Sequence, residues 1–228
     1  MKGGRKKEAE TTEKSIEESV AELSTDKEKC VDLNFMVYTY GKFHNNKINQ
    51  IIHIIFVPII LYTWYVQMCI IAPYYEFSFD VPFFGSKIGF GIVPYFFTLS
   101  AYFFIDWQVA LTVSAWWWPV MILGNACWMN HADELYWGMS QFRFMGIVNA
   151  LSWIAQFIGH GLFEQRAPAI LTNLGFATLA PFFITFEVMN VCLGFREGET
   201  MRKLRSYIEQ DIEEYHGVKQ QQQKTHSQ

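Results

Sequence analysis

Apolar residues gather into five long runs, at about 51–73, 88–105, 107–129, 146–163 and 170–194. A helix needs roughly 20 apolar residues to cross the hydrocarbon of a bilayer. The first, third and fifth runs clear that length. The second meets it marginally and carries Gly91 and Pro94, and the fourth is short and holds Asn149, Gln156 and His160. The pattern predicts an all-α, polytopic membrane helix bundle. A tight turn near Asp106-Trp107 makes the second and third runs an antiparallel hairpin. Residues 1–33 read as a polar, Glu/Lys-rich extension, in which Ile16, Val20 and Leu23 fall at helical spacing. Residues 34–194 form the membrane domain. Residues 195–228 read as a charged cytosolic helix, with Leu204, Tyr207 and Ile208 on one face, followed by a Gln-rich tail from 217.

Charge sharpens this picture. Of 228 residues, the first 50 carry 9 basic and 9 acidic side chains, and residues 195–228 carry 6 of each. The stretch between holds only 3 basic groups, Lys87, Arg143 and Arg166, against 7 acidic ones. Such a partition fits an integral membrane domain with solvated ends. The positive-inside rule then puts both ends on the cytosolic side. That requires an even number of crossings, so the polar run 146–163 is the one expected not to span fully. The expected architecture is four full spans plus one short or re-entrant polar helix, since broken backbone at membrane depth is tolerated where it lines a cavity. Acids and bases are mixed one for one at the ends, which offers no footprint for nucleic acid. The first apolar run follows a long charged segment and is expected to act as an uncleaved signal anchor.

The polar groups inside the apolar region carry the chemistry. Cys30, Cys69, Cys127 and Cys192 form no CxxC pair and read as structural thiols. His216 and His226 lie in the solvated end, leaving His44, His53, His131 and His160. Ionisable groups at membrane depth are functional-site hypotheses by default. Asn49 and His53 share one helix face. His44 and His53, nine apart, converge only if the chain bends between them, and Asn45-Asn46 supplies an N-cap there; the plainer alternative is an Asn-capped helix with an interfacial His44 and a core His53. Gln156, His160 and Glu164 form an i, i+4, i+8 stripe, with glycines on both sides of His160. Glu164 could ligate a metal or orient a ligating His. Arg166 could bind a carboxylate head group. The plainer alternative is that Glu164 and Arg166 cap the segment at the interface. His131 stands next to Asp133 and Glu134 in a loop-like stretch that points to a solvated role. Glu187, deep in the last run, is expected to be hydrogen-bonded or protonated.

No GxGxxG, Walker loop, GxSxG or HExxH occurs. The HxxxH and HxxHH boxes of two-iron membrane hydroxylases are missing too. A single iron held by two or three His with a carboxylate fits the count better.

Two motifs, Tyr40-x3-His44-x4-Asn49-x3-His53 and Gln156-Phe-Ile-Gly-His160-x3-Glu164-x-Arg166-x-Pro168-Ala169, resemble the 2-hydroxy fatty acid dioxygenase family. The resemblance covers about residues 34–194. Asp106 also resembles a family position. It implies a multi-pass membrane enzyme of the endoplasmic reticulum, acting in sphingoid-base and fatty-acid catabolism. It further implies iron(II)-dependent alpha-oxidation, in which a long-chain 2-hydroxy fatty acid and O2 give CO2, water and the acid one carbon shorter. On that pattern His44, His53 and His160 are the expected iron ligands, and Glu164 and Arg166 the candidate catalytic side chains. The acyl tail would lie between the aromatic spans. Two other classes remain: a non-enzymatic lipid carrier or assembly factor, and a His/Glu-based metal or proton transporter.

Overall fold

The computed structural model describes residues 14–23, 32–72, 74–131, 135–168 and 175–226. Within them the chain is mostly helical. The helices are α1 (14–22), α2 (Leu33–Gly41), α3 (Lys47–Ile71), α4 (Ile92–Ile105), α5 (Trp107–His131), α6 (Gln141–Ile158), α7 (Gly175–Leu193) and α8 (Glu199–His226). A π-helical turn, Gly159–Glu164, continues α6. Two antiparallel hairpins interrupt the helices, β1 (Tyr74–Val81) with β2 (Gly85–Gly89), and β3 (Leu135–Tyr136) with β4 (Met139–Ser140). The chain divides into two compact units, residues 46–187 and the combined segments 1–45 and 188–228.

Among the described residues, α3 and α5 are the two helices long and apolar enough to cross a membrane, and α4 and 177–193 are shorter apolar helices. The run at 88–105 turns helical only at Ile92, because Gly89 still pairs with Tyr74 in the hairpin. α4 therefore spans about 21 Å, against the roughly 30 Å of a hydrocarbon core. Large apolar side chains nevertheless face outward from it, Phe97 at 74% and Phe104 at 83% exposure. Such a surface suits lipid better than water.

The unit 46–187 is built on one antiparallel helix pair, α3 with α6. Asn46 caps α3, its Oδ1 accepting from the Ile48 N–H at 2.9 Å. Along the seam, an added Cβ at Gly159 would meet Asn49 Oδ1, so glycine permits this close approach. Farther along, Asn149 Nδ2 donates to Ile60 O at 3.1 Å and to Thr63 Oγ1 at 2.9 Å. Cross-helix bonds from such amides hold helices together where apolar burial alone does not discriminate lipid from protein. α5 begins on Asp106, whose Oδ1 accepts from the N–H groups of Gln108 and Val109 at 2.9 and 3.1 Å. That is the turn expected at Asp106-Trp107, and it gives Asp106 a capping role.

The hairpins depart from an all-α reading. Tyr75, Phe77, Phe79 and Val81 alternate with Glu76, Ser78 and Asp80, a period-2 pattern hidden between two apolar runs. The second hairpin turns on Trp137 and Gly138, both at positive φ (50° and 78°), as a two-residue primed turn requires. Asn125 of α5, fully buried, ties the first hairpin down. Its Nδ2 donates to Phe84 O and Lys87 O, each at 2.9 Å, and its Oδ1 accepts from Gly89 N at 3.3 Å.

The other unit packs α2 on α8. Val37, Tyr38, Leu204 and Ile208 are buried there with Ile16 and Val20 of α1. Tyr38 donates to Asp211 Oδ1 at 3.3 Å, and Arg205 holds Glu197 at 2.8 Å and Asn190 Oδ1 at 2.7 Å. The apolar face at Leu204 and Ile208 is thus a packing face. The tail expected from 217 instead continues α8 to His226. Cys69, Cys127 and Cys192 are free thiols; Cys30 lies outside the described residues.

Replacing Asn125 by Leu strands two carbonyls and one N–H in the interior. We expect Asn125→Leu to destabilise the protein by about 3 kcal/mol, read as a lowered unfolding midpoint in detergent. An unchanged midpoint would contradict the anchoring role.

Candidate active site

The geometry starts with the first turn of α3. The Asn46 N–H donates to Glu164 Oε1 at 2.8 Å, and Asn49 Nδ2 donates to the same oxygen at 3.1 Å. A carboxylate at a helix N-terminus meets both the unpaired N–H groups and the positive end of the helix dipole. One turn on, His53 Nδ1 lies 2.9 Å from Asn49 O. A carbonyl only accepts, so this contact places the proton on Nδ1 and leaves Nε2 with its lone pair. Glu164 thus holds the residue whose carbonyl orients His53.

His160 meets His53 edge to face, with ring centroids 5.1 Å apart and planes at 85°. Both rings are buried, at 4% and 3% exposure. The π-helical turn carries His160 and Glu164, and such widened turns recur at functional sites. It ends at Gln165 in the left-handed region, φ 53°. Gln156, His160 and Glu164 are all buried, as a shared face requires. Gly159 makes the close approach to Asn49, whereas a Cβ at Gly161 would meet nothing within 4 Å. Gln156 Nε2 is buried and has no hydrogen-bond partner among the described residues.

His44 follows α2. Its ring stacks on Tyr40, with centroids 4.0 Å apart, and its Nδ1 lies 3.2 Å from Tyr40 O. This repeats the arrangement at His53, an imidazole fixed by the carbonyl four residues earlier. Arg166 is half-buried two residues beyond the π turn. Glu187 accepts a hydrogen bond from Gln50 Nε2.

His131 is the last residue of α5, not part of a loop; Asp133 and Glu134 lie outside the described residues, as does Ala169. Asn125 accepts from the Tyr65 hydroxyl at 3.4 Å, and Trp128 packs on Tyr74, just past the C-terminal end of α3. Tyr65 stands 12 residues from His53, roughly 18 Å along the helix. His131 is therefore at the opposite end of α3 from His53.

Residues 32–191 match the family described as 2-hydroxy-palmitic acid dioxygenase Mpo1-like. The chain belongs to this Mpo1-like family. It is 29% identical over 187 residues to the 2-hydroxy-palmitic acid dioxygenase MPO1 of Saccharomyces cerevisiae, covering 82% of this chain and 92% of that protein. No solved structure matches significantly. The family name designates a dioxygenase enzyme, and both motifs lie wholly within the matched span. In this Mpo1-like chain the α3–α6 seam brings two buried imidazoles, His53 and His160, together. Imidazoles committed through Nδ1 to carbonyls offer Nε2 as ligand, the arrangement common at metal-binding His.

The anchoring of Asn46 and Asn49 by Glu164 was not legible from spacing, since more than 100 residues separate the partners. Hydrogen bonds to a charged group contribute about 1.5–3 kcal/mol each. Glu164→Ala, which removes both bonds, should lower stability by at least about 3 kcal/mol in thermal unfolding, while Glu164→Gln, which keeps an acceptor oxygen, should lose less. Equal stability of the Ala variant and the parent would refute the anchor.

Proposed function

We propose that this chain is an iron(II)-dependent dioxygenase of the bilayer that shortens long-chain 2-hydroxy fatty acids by one carbon. The overall reaction consumes one 2-hydroxy acid and one O2 and yields the shorter acid, CO2 and water. The substrate gives up all four electrons that O2 accepts, so no nucleotide or oxoacid cosubstrate is required. The observation that carries the reading is the buried edge-to-face pair His53 and His160, within a chain of the Mpo1-like family.

His53, His160 and His44 would hold the iron. For His44 the support is its carbonyl-fixed Nδ1 and its place two residues before Asn46, whose N–H is held on Glu164. Two peptide units reach at most roughly 7 Å. Iron(II) bound by nitrogen and oxygen donors with open positions supplies the electron transfer to O2 that side chains alone lack. The other residues hold and orient. Burial of His53 and His160 keeps bulk water from the imidazoles. Glu164 fixes the first turn of α3, and with it His53. The Arg166 guanidinium would pair with the substrate carboxylate. Gln156 Nε2, buried and unpartnered among the described residues, would donate to a substrate oxygen.

The membrane arrangement completes the proposal. α3, α4, α5 and α7 would cross, with α6 and its π turn partly inserted and both ends cytosolic, in the endoplasmic reticulum. The Lys/Arg asymmetry and the outward Phe97 and Phe104 support this. The short α4 would be accommodated by local thinning of the bilayer.

The test is an assay of the purified, iron(II)-reconstituted protein with 2-hydroxypalmitate and O2, read by mass spectrometry. We expect the acid one carbon shorter from the parent and from His131→Ala, and at least a hundredfold less from His53→Ala and His160→Ala. Full activity in His160→Ala would overturn the assignment of the site. No product from the parent would favour a carrier or transporter.

A further inference from the structure

The seam that brings His53 to His160 continues into a cavity. It has a volume of about 300 Å³ and is lined by Ile60 and Trp64 of α3, Tyr95 and Thr98 of α4, and Asn149 and Trp153 of α6, with walls from α5 and α7. Ligand pockets start at roughly this size, about 300–1,000 Å³. His53, Ile60 and Trp64 are spaced by seven and four residues, so they share one face of α3. Trp153, Gln156 and His160, spaced by three and four, share one face of α6. The two helices run antiparallel, with His53 against His160 at one point and Ile60 bonded by Asn149 at another. The cavity therefore begins two helical turns, about 10 Å, from the imidazoles on the same faces. Gln156 lies between them in sequence, the buried donor preceding the apolar wall. Asn149 leaves that wall apolar, because its amide is spent on Ile60 O and Thr63 Oγ1.

We infer that this cavity is the acyl-chain subsite of the enzyme. It receives the hydrocarbon tail of the 2-hydroxy acid whose polar end lies at His53 and His160, and Thr98 and Trp153 set the chain length accepted. This rests on the dioxygenase reading for the identity of the ligand. The chemistry of the walls fits the occupant: three aromatic rings and an isoleucine for a methylene chain, at the right remove from a polar head.

The experiment uses the full-length protein, loaded with iron(II) without oxygen and given 2-hydroxypalmitate bearing a diazirine at its far end. Photolysis should place adducts on peptides containing Ile60–Trp64, Tyr95–Thr98 or Trp153. Unlabelled 2-hydroxypalmitate should compete, and excess phosphatidylcholine should not. In turnover, Thr98→Phe should lower the ratio of kcat/KM for long against short 2-hydroxy acids by at least about tenfold, since single-methylene fits already discriminate roughly 10–200-fold. Trp153→Ala, which enlarges the space, should shift the ratio the other way. Turnover by the parent with adducts elsewhere, equal competition by phospholipid, or unchanged ratios in both variants would overturn the subsite while leaving the dioxygenase reading intact. Specific adducts in the cavity without any product would keep the binding site and retire the activity.

Discussion

One carboxylate oxygen organises the start of α3. Glu164 Oε1 takes the Asn46 N–H and the Asn49 amide together. Those two groups would otherwise be an open helix end and a buried amide, each costly to leave unpaired in an apolar surround. Fixing Asn49 fixes the carbonyl that accepts from His53 Nδ1. Because Glu164 ends the π turn that carries His160, both imidazoles are set by the same clasp. The α3–α6 seam then propagates the alignment toward Asn149. A slip of one residue along that seam would bring a Cβ rather than Gly159 onto Asn49.

The burial of so many polar groups in an apolar region needs a reason. Asn125 is accounted for by the hairpin it pins, Asp106 by the helix it caps, and Asn149 by the helix it crosses. His53, His160 and Gln156 stand apart, because a purely structural core would gain by replacing them with apolar residues. Their placement together along one seam is what the proposed metal site and substrate bed explain. Membership in the Mpo1-like family gives that site a chemistry; the seam gives it a direction, polar at His53 and apolar at Trp64.

Much of the helical scaffold was legible because long apolar runs and caps are local signals. The bend before α3 followed from Asn45-Asn46, and the shared face of Gln156, His160 and Glu164 followed from spacing alone. The first hairpin was obscured by its aromatics, which prolong the neighbouring apolar runs and blur the alternation. Polar composition made the Gln run resemble a tail, although Gln is a good helix former and α8 passes through it. His131 sat beside acids in sequence and so read as a loop, whereas α5 extends to include it. The partner of Glu164 could not be read at all: spacing marked it as ligand or cap, and only the fold brings it to Asn46. The cap it makes is for α3, a helix distant in sequence, rather than for its own segment.

The proposed chemistry depends on His53 and His160 binding one metal ion. The most direct measurement is an anaerobic iron(II) titration of the purified protein in detergent, followed by isothermal calorimetry and metal analysis, for the parent and for the His53→Ala/His160→Ala double variant. We expect one iron per chain in the parent and none retained by a double variant that keeps its helical circular dichroism. A folded double variant that binds iron as tightly as the parent would contradict it.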